Sequence, residues 1–346
     1  MALQIDSQSE TLMRQALEAA VKCDWKVHPN PKVGCALLLK SGQVLTGYHA
    51  KFGAAHAEIE ALSLTKSQGL CVEGATVAVT LEPCSHFGKT PPCADALIKA
   101  GVKKVLVGSL DPNSLVSGRG VQKLKDAGIE VHVGVLQTEC EAINTEWLFA
   151  HRFGRPYVRL KLATSLDGFW TSKVGTKEII TGEEARTVGH ALRSRAQVIV
   201  TGRGTVEVDD PELTVRLDGY QGPQPKVYVL SRKLDFSLQG KKLSQPVGRT
   251  KVFQGDLTLL NGKLLTDESA YSVLVEAGPK MSQAFLESPG LVQEVWHFVA
   301  PRNLGHGLTW SSMVAKASLP GGPWQLLQRK NFSNGDELLI YHSKTF

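Results

Sequence analysis

Strand-like and helix-like apolar patterns alternate along most of this 346-residue chain, and a chain patterned this way folds with helices packed on the faces of a sheet. Ser7 and Glu10 have capping-box spacing ahead of Leu12, Met13, Ala16, Leu17, Ala20 and Val21, whose three-to-four spacing predicts a helix. Residues 33–39 and 44–48 flank a Ser41-Gly42 turn as a hairpin. A helix over 55–66, a strand over 75–81, a helix over 93–99, a strand over 105–108, a helix over 121–125 and a strand over 129–135 follow. A final helix near 139–149 ends where Gly154 and Pro156 interrupt the pattern. The alternation then restarts, with strands over 158–163, 198–201, 227–230, 272–276 and 294–299, a helix over 183–193, and a closing antiparallel pair around Asn334-Gly335. Two α/β domains are therefore expected, 1–153 and 154–346, the first with helices on both faces of a mixed sheet.

No apolar run reaches the roughly 18 residues that span a bilayer, and Met1 to Asp6 lacks the basic flank and long apolar stretch of a signal peptide, so a cytoplasmic protein without membrane contact is expected. Lysine and arginine exceed aspartate and glutamate by 39 − 33 = 6, spread along the chain, which suits small anionic ligands at least as well as nucleic acid. Six cysteines in such a chain argue for buried thiols, a metal site or a nucleophile rather than disulfides.

His56-Ala57-Glu58 opens one helix, and Pro83-Cys84, with Cys93 nine positions after Cys84, follows a strand. One imidazole and two thiolates make a three-ligand zinc site with its fourth position open to water, the catalytic pattern. Such a zinc ion lowers the pKa of its water to about 7, and a carboxylate that is not a ligand can shuttle protons. Glu58 suits that shuttle, although regular helical geometry would turn residues i and i+2 apart. A closed structural site would need a fourth ligand, for which His86 is the neighbour in sequence. Cys23, Cys35, Cys71 and Cys140 lie within helix or strand patterns and are expected to be small buried hydrophobes.

The His-Ala-Glu and Pro-Cys…Cys pattern resembles the zinc-dependent nucleoside and base deaminases. Its eight-residue spacer, Ser85 to Pro92, resembles the deaminase domain of the bifunctional riboflavin-biosynthesis deaminase/reductase family, as do Pro29-Asn30-Pro31-Lys32-Val33-Gly34-Cys35 and Asp111 to Gly120. The resemblance covers the whole chain. It implies a cytidine-deaminase-like three-layer α/β/α domain followed by a dihydrofolate-reductase-like α/β domain. It also implies one zinc on His56, Cys84 and Cys93, Glu58 as the catalytic acid/base, and Asn30, His49, Lys89, Asp111 and Asn113 as contacts of a phosphorylated pyrimidine.

In the second half, Lys161 to Gly168, Asp209 to Arg216 and Val275 to Pro279 resemble the family's reductase domain, which uses NADPH to reduce a ribosyl to a ribityl group. Ala163, Ile179, Thr205, Asp209 and the backbone from Gly278 take the cofactor side by that resemblance. Lys177, Arg193, Leu213, Arg216 and Glu276 take the substrate side, the arginines being suited to bidentate phosphate contacts. The family's Gly-x-Ser-x-Trp-Ile-Thr stretch reads Gly175-Thr176-Lys177-Glu178-Ile179-Ile180-Thr181 here, so a lysine replaces a serine and an isoleucine a tryptophan. Leu304-Gly305-His306-Gly307 departs from the family's small-residue loop as well. Two readings of the second half follow: a working NADPH-dependent reductase with an altered pocket, or an inactive domain retained beside a monofunctional deaminase. A nucleic-acid deaminase would want a basic face with interleaved aromatics, yet aromatic residues are 7% of the chain and no basic run is present. The expected partners are a small phosphorylated pyrimidine and further copies of the chain in a homo-oligomer.

Overall fold

The computed structural model describes residues 6–85, 92–112, 117–173, 175–309 and 322–344. The chain divides into two compact units, Met1–Phe153 and Gly154–Phe346.

In the first unit the elements run α1 (Ser7–Val21), β1 (Gly34–Leu38), β2 (Val44–Tyr48), α2 (Ala57–Ser67), β3 (Thr76–Leu81), α3 (Cys93–Lys99), β4 (Lys104–Ser109), α4 (Arg119–Asp126), β5 (Glu130–Val133), α5 (Gln137–Ala142) and α6 (Thr145–Phe153). The sheet order is β2-β1-β3-β4-β5, antiparallel at β2/β1 and β1/β3 and parallel beyond. Period-two alternation divides each strand between two cores. Cys35, Leu37, Val77, Val79, Val105 and Val107 pack with Ala57, Ala61, Ala94, Leu97 and Leu124 of α2, α3 and α4. Ala36, Ala78 and Leu106 pack with Leu12, Met13 and Ala16 of α1 on the other face. The result is a three-layer α/β/α domain around a mixed sheet.

Three local expectations change. The cap of α1 is Asp6, whose carboxylate accepts the Ser9 N–H at 2.7 Å, because the helix begins at Ser7 itself and leaves no capping role for its hydroxyl. The single helix expected near 139–149 is two. At their junction buried Asn144 accepts from Lys32 N at 2.8 Å and donates to Lys32 O at 2.7 Å, a pairing that ties the junction to the segment carrying Asn30. Cys71 is exposed, since it follows α2 on a surface turn, whereas Cys23, Cys35 and Cys140 are buried.

In the second unit the elements are β6 (Tyr157–Ser165), β7 (Phe169–Thr171), α7 (Glu183–Arg195), β8 (Val198–Gly202), α8 (Arg203–Asp209), β9 (Lys226–Leu230), β10 (Thr250–Phe253), α9 (Leu257–Glu268), β11 (Ser272–Glu276), α10 (Pro279–Glu287), β12 (Glu294–Ala300), β13 (Leu308–Thr309), β14 (Trp324–Asn331) and β15 (Glu337–Ser343). The large sheet has the order β10-β9-β8-β11-β6-β12-β15-β14, parallel from β10 to β12 and antiparallel across the last two pairings. Val158, Leu160, Val198, Val200, Val273 and Val275 enter one core, and Ile199, Val227, Val229 and Leu274 the other. This is the α/β architecture with a dihydrofolate-reductase-like sheet. Open parallel sheets bind ligands beyond the carboxyl ends of their strands, which here gathers Ala163, α8, Glu276 and Gly278.

Candidate active sites

Gly47 of β2 lets α2 pack directly on the hairpin: a Cβ there would stand 2.4 Å from the Ala57 carbonyl oxygen. That contact seats the start of α2, where His56 is the N-cap, with an extended backbone at φ −71° and ψ 160°. His56 is thus outside the helix and Glu58 inside it, so the objection from i, i+2 geometry does not apply.

The ligand atoms of His56, Cys84 and Cys93 lie within 4.8 Å of one another. Tetrahedral zinc, with bonds of about 2.3 Å to sulfur and 2.0–2.1 Å to nitrogen, separates sulfur and nitrogen by about 3.5 Å. His56 Nδ1 stands 3.3 Å from Cys93 Sγ and 3.7 Å from Cys84 Sγ, so this donor set fits the ion and presents Nδ1 to it. The Cys93 N–H donates to Cys84 Sγ at 3.3 Å, and hydrogen bonding from Cys93, with His56 beside it, pulls the Cys84 thiol down while Cys84 and burial push Cys93 up. A cation between them deprotonates both.

Glu58 is buried beside this set and within hydrogen-bonding reach of Cys93. Burial, with the Cys84 charge adding to it, pushes its carboxyl up to about 7. His49 Nδ1 is 2.9 Å from the Ala55 carbonyl oxygen, which makes Nδ1 the donor and Nε2 the acceptor. Asn30 Nδ2 then donates to Nε2 at 3.0 Å. Burial holds His49 below the usual histidine range, hence neutral, and its ring stands edge-on to His56 with centroids 5.4 Å apart. The structure therefore brings Asn30 and His49 to the His56 side of the site. Lys89 and Asn113, together with His86, lie outside the described residues.

Asp111 follows β4 and is organised by a residue that sequence reasoning passed over. Buried Glu82 accepts four backbone N–H groups, from Asp111 at 3.2 Å, Gly118 at 2.9 Å, Gly120 at 2.9 Å and Val121 at 3.2 Å. Gly120 is obligatory there, because a Cβ would meet the Pro83 carbonyl oxygen at 2.0 Å. A glutamate two positions before Cys84, directly after a strand without a charged residue, was the available signal.

In the second unit Thr205 of α8 accepts the Gly278 N–H at 3.2 Å, linking the carboxyl ends of neighbouring parallel strands β8 and β11. Ala163, on β6 beside β11, lies at the same sheet end. Asp209 closes α8, half-buried, and burial raises its carboxyl while the Lys177 charge opposes that rise. Lys177 thus acts on Asp209, which the resemblance put on the cofactor side, and not on a group of the substrate side. On the other side, Arg193 of α7 grips Glu276 with Nε–Oε1 2.5 Å and Nη2–Oε2 2.9 Å, and its Nη1 donates to Thr214 O at 3.0 Å. The fork expected to face a phosphate is therefore engaged by a carboxylate, and Arg193 orients Glu276 instead. Arg216 is exposed, its Nη1 2.9 Å from Thr214 Oγ1, and Leu213 is buried beneath. Lys161, opposite Glu276 in the β6/β11 register, is a second residue not singled out from sequence; burial lowers its pKa, with Glu276 opposing. A lysine inside an apolar strand pattern was its signal.

Residues 6–109 match the family described as cytidine and deoxycytidylate deaminase zinc-binding region, and residues 156–314 match the RibD C-terminal domain. Riboflavin biosynthesis protein RibD of Aquifex aeolicus is 39% identical, the match covering 96% of this chain and 97% of that protein. The chain belongs to the RibD family. A solved Acinetobacter baumannii RibD has a TM-score of 0.85 at 37% identity, covering 98% of this chain and 99% of that one. A Thermotoga maritima structure, titled a diaminohydroxyphosphoribosylaminopyrimidine deaminase/5-amino-6-(5-phosphoribosylamino)uracil reductase, has a TM-score of 0.86 at 33% identity over 97% of this chain and 98% of that one. Within the RibD frame the departing segment is tied to the preceding strand β7 and to Arg302. Glu178 accepts from Ser172 N at 2.7 Å, Ser172 Oγ at 2.8 Å and Thr171 Oγ1 at 3.1 Å, and Arg302 donates to Ile179 O at 2.7 Å. The Ile179 side chain is 60% exposed.

Proposed function

We infer that this RibD-family chain carries out two steps of riboflavin biosynthesis: hydrolytic deamination of 2,5-diamino-6-(5-phosphoribosylamino)pyrimidin-4-one, then NADPH-dependent reduction of the ribosyl group to give 5-amino-6-(5-phosphoribitylamino)uracil. The observation that carries the reading is a buried carboxylate, Glu58, set against two sulfurs and an imidazole nitrogen spaced for zinc.

Zinc, when bound, supplies an activated water at neutral pH. Glu58, with a pKa raised to about 7, takes a proton from that water, returns it to the ring nitrogen, and delivers the next proton to the departing amine, so that water enters and ammonia leaves. Neutral His49 fixes Asn30, leaving the Asn30 amide oxygen to read the pyrimidine edge, and the Asp111 backbone is fixed by Glu82. Lys89 and Asn113 complete the proposed substrate contacts.

Ala163, Thr205, Asp209 and Gly278 would hold NADPH at the sheet end they form, and the cofactor would supply a hydride to the first carbon of the ring-opened imine while the imine nitrogen takes a proton from solvent and NADP+ is left. Glu276 is held ionised and oriented by Arg193 at that carbon's side of the site, and exposed Arg216 meets the phosphate. Lys177 and Ile179 border the cofactor side. The paired Arg193 and Glu276, with the ordered segment from Leu213 to Arg216, support a working reductase. No helix among the described residues is long and apolar enough to cross a membrane. Six cysteines free of disulfides support the cytoplasmic assignment, and assembly into a homo-oligomer belongs to the same proposal, read by light scattering.

Purified protein given the diaminopyrimidinone should release one ammonia and oxidise one NADPH per substrate. Ammonia release without NADPH oxidation would leave a monofunctional deaminase.

A further inference from the structure

The segment from Asp210 to Arg216 belongs to no helix or strand, yet six backbone polar groups between Glu212 and Arg216 are claimed by side chains from outside it. Leu213 is buried at φ 49° and Asp210 stands at φ 40°, so two residues with side chains occupy the left-handed region. Such backbone persists only where the surroundings over-determine it. Gln224 accepts from Val215 N at 2.7 Å and donates to Val215 O at 3.2 Å. His190 Nδ1 lies 3.2 Å from Arg216 N, and Arg193 donates to Thr214 O. The strongest clamp comes from Arg249, just before β10. Its buried guanidinium donates to Pro225 O at 3.0 Å from Nε, to Glu212 O at 2.8 Å from Nη1, and to Leu213 O at 2.5 Å from Nη2.

We propose that Arg249 is a positioning residue of the reductase: by binding the Glu212 and Leu213 carbonyls from beneath, it holds Leu213 left-handed and so sets Arg216 where the substrate's phosphate is read. The inference rests on the reading of Arg216 given above. A planar fork meets carbonyls on two successive residues and a third on the neighbouring strand lead-in, which one lysine ammonium cannot reproduce. Without the clamp the two carbonyls are buried without donors, and the segment relaxes away from the left-handed turn. Arg216, held to this segment by Thr214 Oγ1 and Glu212, moves with it.

The test compares Arg249→Met, Arg249→Lys and Arg216→Ala on the deaminated pyrimidine and on the same compound lacking its 5′-phosphate. Arg249→Met should raise the reductase KM for the phosphorylated compound tenfold or more, with kcat at saturation and the NADPH Kd within twofold of wild type and ammonia release unchanged. Arg249→Lys should raise it severalfold, which keeps the test valid if the methionine variant does not fold. Neither should alter KM for the compound without phosphate. A KM that stays within twofold in the foldable Arg249 variant, or that rises equally for both compounds, overturns the proposal while Arg216→Ala still raises KM. If Arg216→Ala leaves KM unchanged, the reading of Arg216 fails first and the proposal with it.

Discussion

Replacing Glu82 by glutamine removes a charge and two acceptor sites from a carboxylate that serves four backbone amides. Oε1 accepts from Gly120 and Val121, Oε2 from Asp111 and Gly118. Whichever way the new amide is turned, its NH2 faces two N–H donors, so two hydrogen bonds become donor-against-donor contacts in a buried place. Hydrogen bonds to charged groups contribute about 1.5–3 kcal/mol each, so the loss is about 3 kcal/mol or more. The negative charge at the start of α4 is lost too, and it favours the helix N-terminus by about 0.3–1 kcal/mol. Hydrogen exchange followed by mass spectrometry over residues 110–126 reads this locally. At 1.4 kcal/mol per tenfold, about 3 kcal/mol corresponds to exchange about a hundredfold faster at one amide pair. The Asp111 segment loosens with it, raising the deaminase KM while zinc stays bound. Exchange within threefold of wild type across that peptide would show that Glu82 does not hold these amides.

Cys84→Ser should reduce zinc from near one per chain to a small fraction, as metal analysis of the purified variant would show; full occupancy would remove Cys84 from the ligand set. Glu58→Gln should retain zinc and lose ammonia release by about a hundredfold to ten-thousandfold, the usual contribution of a positioned acid/base group. Ile179→Trp should tighten NADPH severalfold in a fluorescence titration, since a ring there restores about 0.5–1.5 kcal/mol of stacking; unchanged affinity would place residue 179 away from the cofactor. Burial alone would raise the Glu268 carboxyl, but hydrogen bonds from Lys226, Lys251 and Tyr228 outweigh it and hold it at about 2. Its stabilisation is therefore fully present above the usual glutamate range near 4.5 and is lost as pH falls toward 2, reduced by solvent screening because both lysines are half-exposed. Acid unfolding of Glu268→Gln should lack that component.

Most of the sheet strands were legible because their valines and leucines alternate between two cores, whereas the short β7, β10 and β13 were not read, and α3 was legible to the residue, with Gly101 as its stop. The helices α8, α9 and α10 were not read. Arg203–Asp209 carries a glycine and two valines, Leu257–Glu268 has Asn261-Gly262 at its centre, and Pro279–Glu287 begins at a Gly-Pro pair that reads as a turn. Tertiary packing on the sheet overrides those local signals. At the site, residue spacing could not place His56 with Glu58, since the answer depended on His56 standing just outside α2. The roles of Glu82, Asn144 and Arg249 were invisible for a shared reason: each binds backbone atoms, some more than 100 residues away, and backbone partners leave no mark in side-chain pattern.

Two independent active sites acting in sequence on one chain should be separable by a crossed pair of variants. Glu58→Gln should release no ammonia from the diaminopyrimidinone yet oxidise NADPH at the wild-type rate when given the deaminated pyrimidine. Glu276→Gln should release ammonia normally and oxidise little NADPH with either compound. Loss of both activities in either folded variant, or NADPH oxidation undiminished in Glu276→Gln, would contradict that separation.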